Sequence, residues 1–154
     1  MSRRRRSTHP PRPDFLAMSL PRAVRMTRRR DFEAVRQQGR SAGGRLLAIG
    51  VLTPAASTKP LAGVIVPKAL GSAPVRNRLK RRLREIIRLA LPTIEAGPPP
   101  PPSFVTIARR GSVQADFSEL RSEWYRLARK TGLWPTGHPT PPPAPVTAPP
   151  PRDS

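Results

Sequence analysis

Val75-Arg76-Asn77-Arg78-Leu79-Lys80-Arg81-Arg82-Leu83-Arg84-Glu85-Ile86-Ile87-Arg88 superimposes an apolar stripe and a run of positive charge on one helical period. At about 100° per residue, Leu79, Leu83, Ile86, Ile87 and the nearby Ala90 fall within an arc about 100° wide. Arg78, Lys80, Arg81, Arg82, Arg84 and Arg88 occupy the rest of the circumference. A solvated helix ordinarily alternates charge so that neighbours three and four apart attract, yet Glu85 is the only acid in this stretch. One face suits a protein core and the other suits phosphates. A polyanion outside the chain is needed to balance it.

The imbalance extends to the whole chain. Its 154 residues carry 29 Lys and Arg against 9 Asp and Glu, a formal net charge of +20. Such an excess repels itself in a compact state and points to nucleic acid or an anionic membrane surface. Lys59, Lys68, Lys80 and Lys130 are the only lysines; every other basic residue is Arg. Arg offers a planar fork that pairs bidentately with phosphate and stacks on bases, although a GC-rich coding sequence would produce the same bias. With no cysteine, disulfides, thiolate metal sites and Cys nucleophiles are excluded, and a reducing compartment is suited. The longest apolar run, Leu46 to Leu52, is too short to span a bilayer, and no apolar segment follows Arg3 to Arg6 to make a secretory signal. The expectation is a cytoplasmic protein with no membrane partner.

Outward from the basic stretch, Gly71-Ser72-Ala73-Pro74 opens the helix, with Pro74 in its first turn, and Pro92 is expected to close it soon after Leu91. Leu46–Leu52 and Leu61–Val66 read as neighbouring strands joined by a hairpin loop, Thr53 to Pro60. An earlier helix is expected from Thr27, its N-cap, to Gln38, with Phe32 and Val35 on one face and Gly39 as terminator. After a rigid surface loop, Gly97 to Pro102, come a strand over Phe104–Ala108 and a last helix from Asp116 to Thr131. Asp116 and Glu119 have the spacing of a capping box there, Gly132 that of a C-cap, and Phe117, Leu120, Trp124, Leu127 and Ala128 form its stripe. The order α-β-β-α-β-α predicts an α+β domain, a small sheet of three to four mainly antiparallel strands with helices laid on it. Its bounds are 20–134, between a disordered basic arm at 1–19 and a disordered Pro-rich tail at 135–154 that holds nine prolines.

No catalytic constellation emerges. His9 and His138, the only histidines, fall in the two tails. Neither has the neighbours a metal site needs, and no metal ligand set is expected. Asp31, Glu33, Asp116, Glu119 and Glu123 sit at helix starts or on helix surfaces, where capping and dipole effects account for them. No phosphate-cradling loop of the Walker type and no dinucleotide glycine fingerprint is present, so no small-molecule cofactor is expected. If the chain belongs to an enzyme, something else supplies the reacting groups.

The segment Val66-Pro67-Lys68-Ala69-Leu70-Gly71-Ser72-Ala73-Pro74-Val75-Arg76-Asn77-Arg78-Leu79-Lys80-Arg81-Arg82-Leu83-Arg84-Glu85 closely resembles the signature of the bacterial ribonuclease P protein subunit. Leu20-Pro21 with Arg30-Asp31-Phe32-Glu33-Ala34-Val35 and Gly39-Arg40-Ser41 is similar to that family's opening helix. Ile107-Ala108-Arg109-Arg110-Gly111 is similar to its last strand and the approach to its last helix. The resemblance covers roughly residues 20–134. It implies an α/β sandwich similar to the second domain of a small-subunit ribosomal protein, with a left-handed β-α-β crossover that departs from the usual hand. It implies a ribozyme RNA partner that hydrolyses the 5′ leader from precursor tRNA with Mg²⁺ bound mainly through RNA. The function implied is that of an RNA-dependent endonuclease subunit without catalytic residues of its own.

Matched residue by residue, the resemblance gives RNA contact to Lys68, Arg76, Asn77, Arg78, Lys80, Arg81 and Arg84, to which the charged face adds Arg82 and Arg88. It places Phe32 in a cleft for the single-stranded leader, with Arg36 where relatives often carry a second aromatic. From helix spacing alone, a core role for Phe32 beside Val35 is favoured over an exposed stacking role, and the resemblance brings the two readings level. Relatives also commonly carry an aromatic in the first long strand, where this chain has Leu47-Ala48-Ile49-Gly50. Arg36 is expected to substitute by stacking or by phosphate pairing. Arg109 and Arg110 are a minor addition to the RNA surface. Two other classes stand beside this one: a structural, rRNA-binding ribosomal protein, and a DNA-binding regulator with its Arg-rich helix in a major groove. The strand and glycine loop before the basic helix tell against the regulator, which needs a preceding helix.

Overall fold

The computed structural model describes residues 20–54, 58–135 and 137–140; the basic arm at 1–19 and residues 141–154 of the Pro-rich tail lie outside them. Seven elements follow one another: α1 (Arg29–Gln38), β1 (Arg40–Gly43), β2 (Leu47–Leu52), β3 (Leu61–Ile65), α2 (Ala73–Glu95), β4 (Ser103–Ala108) and α3 (Phe117–Thr131). The strands form one mixed sheet in the order β1-β2-β4-β3, with two antiparallel pairings and a parallel one between β3 and β4.

β2 and β3 are therefore not neighbours, and the hairpin expected between them does not form. β4 lies between them, parallel to β3, and a parallel pair needs a long crossover, which α2 supplies. The other edge of β2 pairs with β1, whose Arg-Ser-Ala-Gly composition gives no strand signal. Gly39 makes the turn into β1. A Cβ there would stand 2.5 Å from the Val51 carbonyl oxygen and 2.6 Å from that of Val35, leaving no room for a side chain.

Strand alternation sorts the sheet into two faces. Leu47, Ile49, Val51, Ala62, Phe104 and Ala108 are buried in the main core, with Leu79, Leu83, Ile86, Ile87 and Ala90 of α2 and Leu120, Trp124, Leu127 and Ala128 of α3. Thr106 is the one buried hydroxyl on this sheet face, and it accepts a hydrogen bond from Trp124 Nε1 at 3.0 Å. The opposite face meets α1 in a smaller cluster, where Met26, Val35 and Val105 are buried among partly covered Phe32, Leu52, Leu61, Ile65 and Ile107. Two glycines let α1 approach. A Cβ on Gly50 would lie 3.1 Å from Val35 Cγ1, and one on Gly63 would lie 2.6 Å from Phe32 Cε1.

Helix boundaries depart from the sequence reading at two places. The N-cap of α1 is Arg28, not Thr27, and no side chain caps it. Its carbonyl accepts from Asp31 N at 3.0 Å and Phe32 N at 3.4 Å. α2 runs through Pro92 to Glu95. Proline there removes one hydrogen bond, to the Arg88 carbonyl, while buried Leu91 and Ile94 keep the last turn on the core. α3 begins and ends as its sequence predicts. Glu119 N donates to Asp116 Oδ1 at 2.8 Å, Asp116 N donates to Glu119 Oε1 at 3.0 Å, and Gly132 takes φ +84°.

Glu123 of α3 fastens the β1–β2 turn. Its Oε2 accepts from Leu46 N at 2.7 Å and Leu47 N at 3.1 Å, and Arg126 donates to Oε1 at 3.0 Å. Burial raises the Glu123 pKa, but the two backbone donors and Arg126 outweigh it, and the carboxyl lies below its usual value. A carboxylate with a folded pKa below its unfolded one contributes stability that is complete above the unfolded pKa and lost as pH falls through the folded pKa. Thermal midpoints followed downward through about pH 4 should fall more steeply for the native chain than for Glu123→Gln. Parallel curves would remove Glu123 from the acid-sensitive set.

Candidate nucleic-acid interface

α2 is amphipathic because its apolar residues recur every three or four positions. Leu79, Leu83, Ile86, Ile87 and Ala90 are all buried, as the stripe predicts. That burial orients the remainder of the circumference outward. Asn77 and Arg81 are exposed; Arg76, Arg78, Lys80, Arg82, Arg84 and Arg88 are half-buried, their stems lying along the helix surface.

Carboxylates do little to offset this charge. Arg88 has one of its own: its NH2 lies 2.7 Å from Glu85 Oε2 and its Nε donates to Oε1 at 3.0 Å. The hydrogen bond to Glu85 raises the Arg88 pKa against the opposing effect of burial. Arg88 is thus paired with an acid of its own helix. Among the described residues, Arg78, Lys80, Arg81 and Arg84 have no carboxylate partner. At the start of α2 no acid occupies the first turn and no side chain caps Ser72's end, so the positive end of the helix dipole adds to the same charge.

Arg76 turns back along the approach to the helix, its Nε donating to the Gly71 carbonyl at 3.1 Å. Gly71 has φ +156°, and a Cβ there would press on Val75 Cγ1 at 3.0 Å, so this tight turn requires glycine. Just before it, Lys68 is exposed in a single 3₁₀ turn, Lys68–Leu70. The turn follows directly from β3, and so ties the basic helix to the far face of the sheet.

On that far face, α1 leaves one row of the sheet only partly covered. In register, Ala48 of β2, Ile107 of β4 and Ile65 of β3 form one row across the sheet, all half-buried. Gly43 of β1 extends the row. Arg109 reaches over Gly43 and donates from NH1 to the Gly44 carbonyl at 2.7 Å. Because β3 and β4 are parallel, Lys68, Arg109 and Arg110 emerge at the same end of the sheet. Phe32 and Arg36 lie on α1 above the neighbouring row. Phe32 is half-buried against Gly63, so it has a core role and a partly open ring, while Arg36 is exposed.

Sequence alone assigns Arg109 a minor part and Arg25 none. The structure holds Arg109 by its carbonyl contact, and it fixes Arg25, outside any long element, against Ala62 of β3. No pattern marks either, because both positions come from pairing between distant strands. Among the described residues, no group of three or more His, Asp and Glu could hold a metal ion, and no helix is long and apolar enough to cross a membrane.

The family model for ribonuclease P matches residues 20–132, from the first buried leucine to the glycine that ends α3. The chain belongs to the ribonuclease P protein family. It is 38% identical over 114 residues to the ribonuclease P protein component of Symbiobacterium thermophilum, covering 74% of this chain and 96% of that one. Against the ribonuclease P protein component of Acidothermus cellulolyticus it is 37% identical over 109 residues, covering 70% and 88%. The ribonuclease P protein of Thermotoga maritima superposes with a TM-score of 0.58 at 27% identity, over 68% of this chain and 96% of that one. The Staphylococcus aureus ribonuclease P protein shares the fold, with a TM-score of 0.66 at 20% identity over 73% and 99%.

The difference between Arg88 and its neighbours is measurable with a ribonuclease P RNA. Arg78→Ala combined with Arg81→Ala should reduce the log–log salt slope of binding by about 1–2 units. Arg88→Ala should change it by less, since Glu85 already neutralises that charge. Equal slopes for all three chains would remove Arg78 and Arg81 from the interface.

Proposed function

We propose that this chain is the protein component of ribonuclease P, binding the catalytic RNA and the 5′ leader of precursor tRNA. In that role it supports endonucleolytic removal of the leader to give the mature tRNA 5′ end. The observation that carries the reading is the outer face of α2, where Arg78, Lys80, Arg81 and Arg84 have no carboxylate partner among the described residues, on a helix whose other face is locked into the core. Arg76, Asn77, Arg78, Lys80, Arg81, Arg82 and Arg84, with Lys68 beside them, contact the ribozyme RNA.

The groove over Ala48, Ile107 and Ile65 receives the single-stranded leader, bordered by Phe32 and Arg36 on α1. Its end opens toward Lys68 and Arg109, so one strand lying in it runs toward the same cations that meet the catalytic RNA. The groove supplies apolar contact and the arginines supply phosphate pairing.

Catalysis rests with the RNA. Mg²⁺ does not fit the interface, whose donors are guanidinium and ammonium groups rather than clustered oxygens, and it is placed on the RNA. The protein acts electrostatically, lowering the repulsion between two polyanions that must come together and adding affinity for leader-bearing substrate over product. Its workplace on this reading is the cytoplasm.

Reconstitution with ribonuclease P RNA tests the role. At low Mg²⁺, cleavage of precursor tRNA should require the protein, and at high Mg²⁺ the requirement should relax. Protein without RNA should leave the substrate intact. Cleavage by the protein unaided, or co-sedimentation with ribosomal subunits and no effect on leader removal, would overturn the proposal.

A further inference from the structure

Arg109 is held through both its backbone and its side chain. Its N donates to the Leu46 carbonyl at 2.9 Å, and its own carbonyl accepts from Ser112 N at 2.9 Å and from Ser112 Oγ at 2.6 Å. NH1 donates to the Gly44 carbonyl at 2.7 Å. Ser112 is fully buried, so the Arg109 backbone is anchored from within while its side chain is anchored from the β1–β2 turn.

Gly43 gives the guanidinium group its seat. A Cβ on Gly43 would lie 2.6 Å from Arg109 NH2, 2.8 Å from NH1 and 2.9 Å from Cζ. The whole fork, rather than one nitrogen, fills the space a side chain would take. Register sets Gly43 opposite Ala48, which in turn pairs with Ile107. A side chain at position 43 would share their face, and alternation along the chain from Ile107 brings Arg109 to the same face. The row Ile65, Ile107, Ala48 therefore ends, at the edge strand, in a guanidinium group where a fourth side chain would otherwise stand. Arg109 is exposed and has no carboxylate partner among the described residues. With NH1 on the Gly44 carbonyl, Nε and NH2 remain to donate outward. A fork placed before binding matches the paired oxygens of a phosphodiester and loses little freedom in taking one.

We propose that Arg109, seated on Gly43, takes one phosphodiester of the 5′ leader and so sets the register of the strand along this row, with Gly43 as the positioning residue. The inference rests on the reading of that row as the path of the leader and deepens it, because Arg109 then acts through its placement and not through charge alone. A mobile cation would accept any phosphate within reach. A seated fork accepts the one that a strand lying on Ala48, Ile107 and Ile65 brings to it.

Gly43→Ala separates placement from charge. The added methyl meets only the end of a flexible side chain, so the chain keeps Arg109 and its net charge while the fork leaves its seat. In holoenzyme reconstituted with ribonuclease P RNA, Gly43→Ala and Arg109→Ala should weaken precursor tRNA binding alike, by about tenfold, and leave mature tRNA binding unchanged. Arg45→Ala removes an exposed arginine from the same turn and should stay near native. Arg109→Lys keeps the charge without the fork and should not restore native binding. Shortening the leader one nucleotide at a time should reach a length at which native and Gly43→Ala holoenzymes bind alike, and that length locates the phosphate. Binding of the catalytic RNA alone should not distinguish the two proteins.

The thermal midpoint of Gly43→Ala, read from the fluorescence of buried Trp124 and Trp134, should not fall, since alanine suits a strand better than glycine. Should it fall, Arg109→Lys decides the matter without any change at the glycine. A Gly43→Ala holoenzyme with the native preference for precursor, or an Arg109→Lys one that binds as native does, overturns the seated fork. Equal losses for precursor and mature tRNA, or a loss in binding the catalytic RNA alone, overturn its assignment to the leader. If the native holoenzyme itself binds precursor no better than mature tRNA, the leader path is what has failed.

Discussion

The burial of one stripe of α2 against the sheet and α3 is the constraint on which the remaining structure depends. Leu79, Leu83, Ile86, Ile87 and Ala90 fix the rotation of the helix about its axis, and that rotation alone decides where its cations point. Each buried side chain of this kind is worth about 1.5–3 kcal/mol, so turning the helix would forfeit most of the core. The charged face is consequently presented as a rigid array, and an RNA bound to it is not charged the entropy of ordering those groups from a coil. The same rigidity has a drawback for the free protein. Like charges are held at fixed, short separations that a flexible segment would relax. Screening by a polyanion therefore relieves repulsion between groups that the hydrophobic core has forced together.

A second constraint acts on the opposite face. α1 can lie close to the sheet only because Gly50 and Gly63 leave space for Val35 and Phe32. A ring at position 50 would begin 3.1 Å from Val35 Cγ1, so the helix or that side chain would have to move. The absence of an aromatic from this strand and the seating of α1 are therefore one feature seen from two sides. Gly63 does the same for Phe32, whose ring fills the place of the missing side chain. Phe32 is held by the sheet and retains partial exposure, so its two readings describe two faces of one residue.

Periodicity and capping residues made the helices legible. The stripe of α2, the capping box of α3 and the left-handed Gly132 are local properties, written within a few residues of where they act. Pairing was not legible. Arg40 to Gly43 become a strand because Gly39 turns the chain back beside β2, and the partners of β3 follow from a crossover of nearly forty residues. The continuation of α2 past Pro92 likewise depends on distant contacts, those that bury Leu91 and Ile94. In the candidate site, the cations of the signature were visible because they share one helix. The neutralisation of Arg88 by Glu85 was written at a spacing of three and could have been anticipated. Arg25 was not available to any such reading, since only the pairing of its backbone with Ala62 fixes its place.

In the proposed interface, a groove floored by Ala48, Ile107 and Ile65 would hold a single strand differently from one paved with rings. Stacking on an aromatic contributes on the order of 1–3 kcal/mol per base and does not vary with salt. Methyl and ethyl groups on a sheet offer contact area without a π-face, so more of the affinity must come from the backbone, through Arg36, Arg109 and Lys68. Phosphate contacts are salt-dependent and indifferent to base identity. An interface built this way would tolerate many leader sequences and be strongly sensitive to ionic strength. That sensitivity suits a protein whose partner RNA and substrate both present the same repeating charge, because discrimination then rests on geometry. On this proposal a strand would leave the groove at the end where β3 and β4 deliver their cations, and that requirement, rather than a base-reading pocket, would distinguish a leader in place from any other RNA.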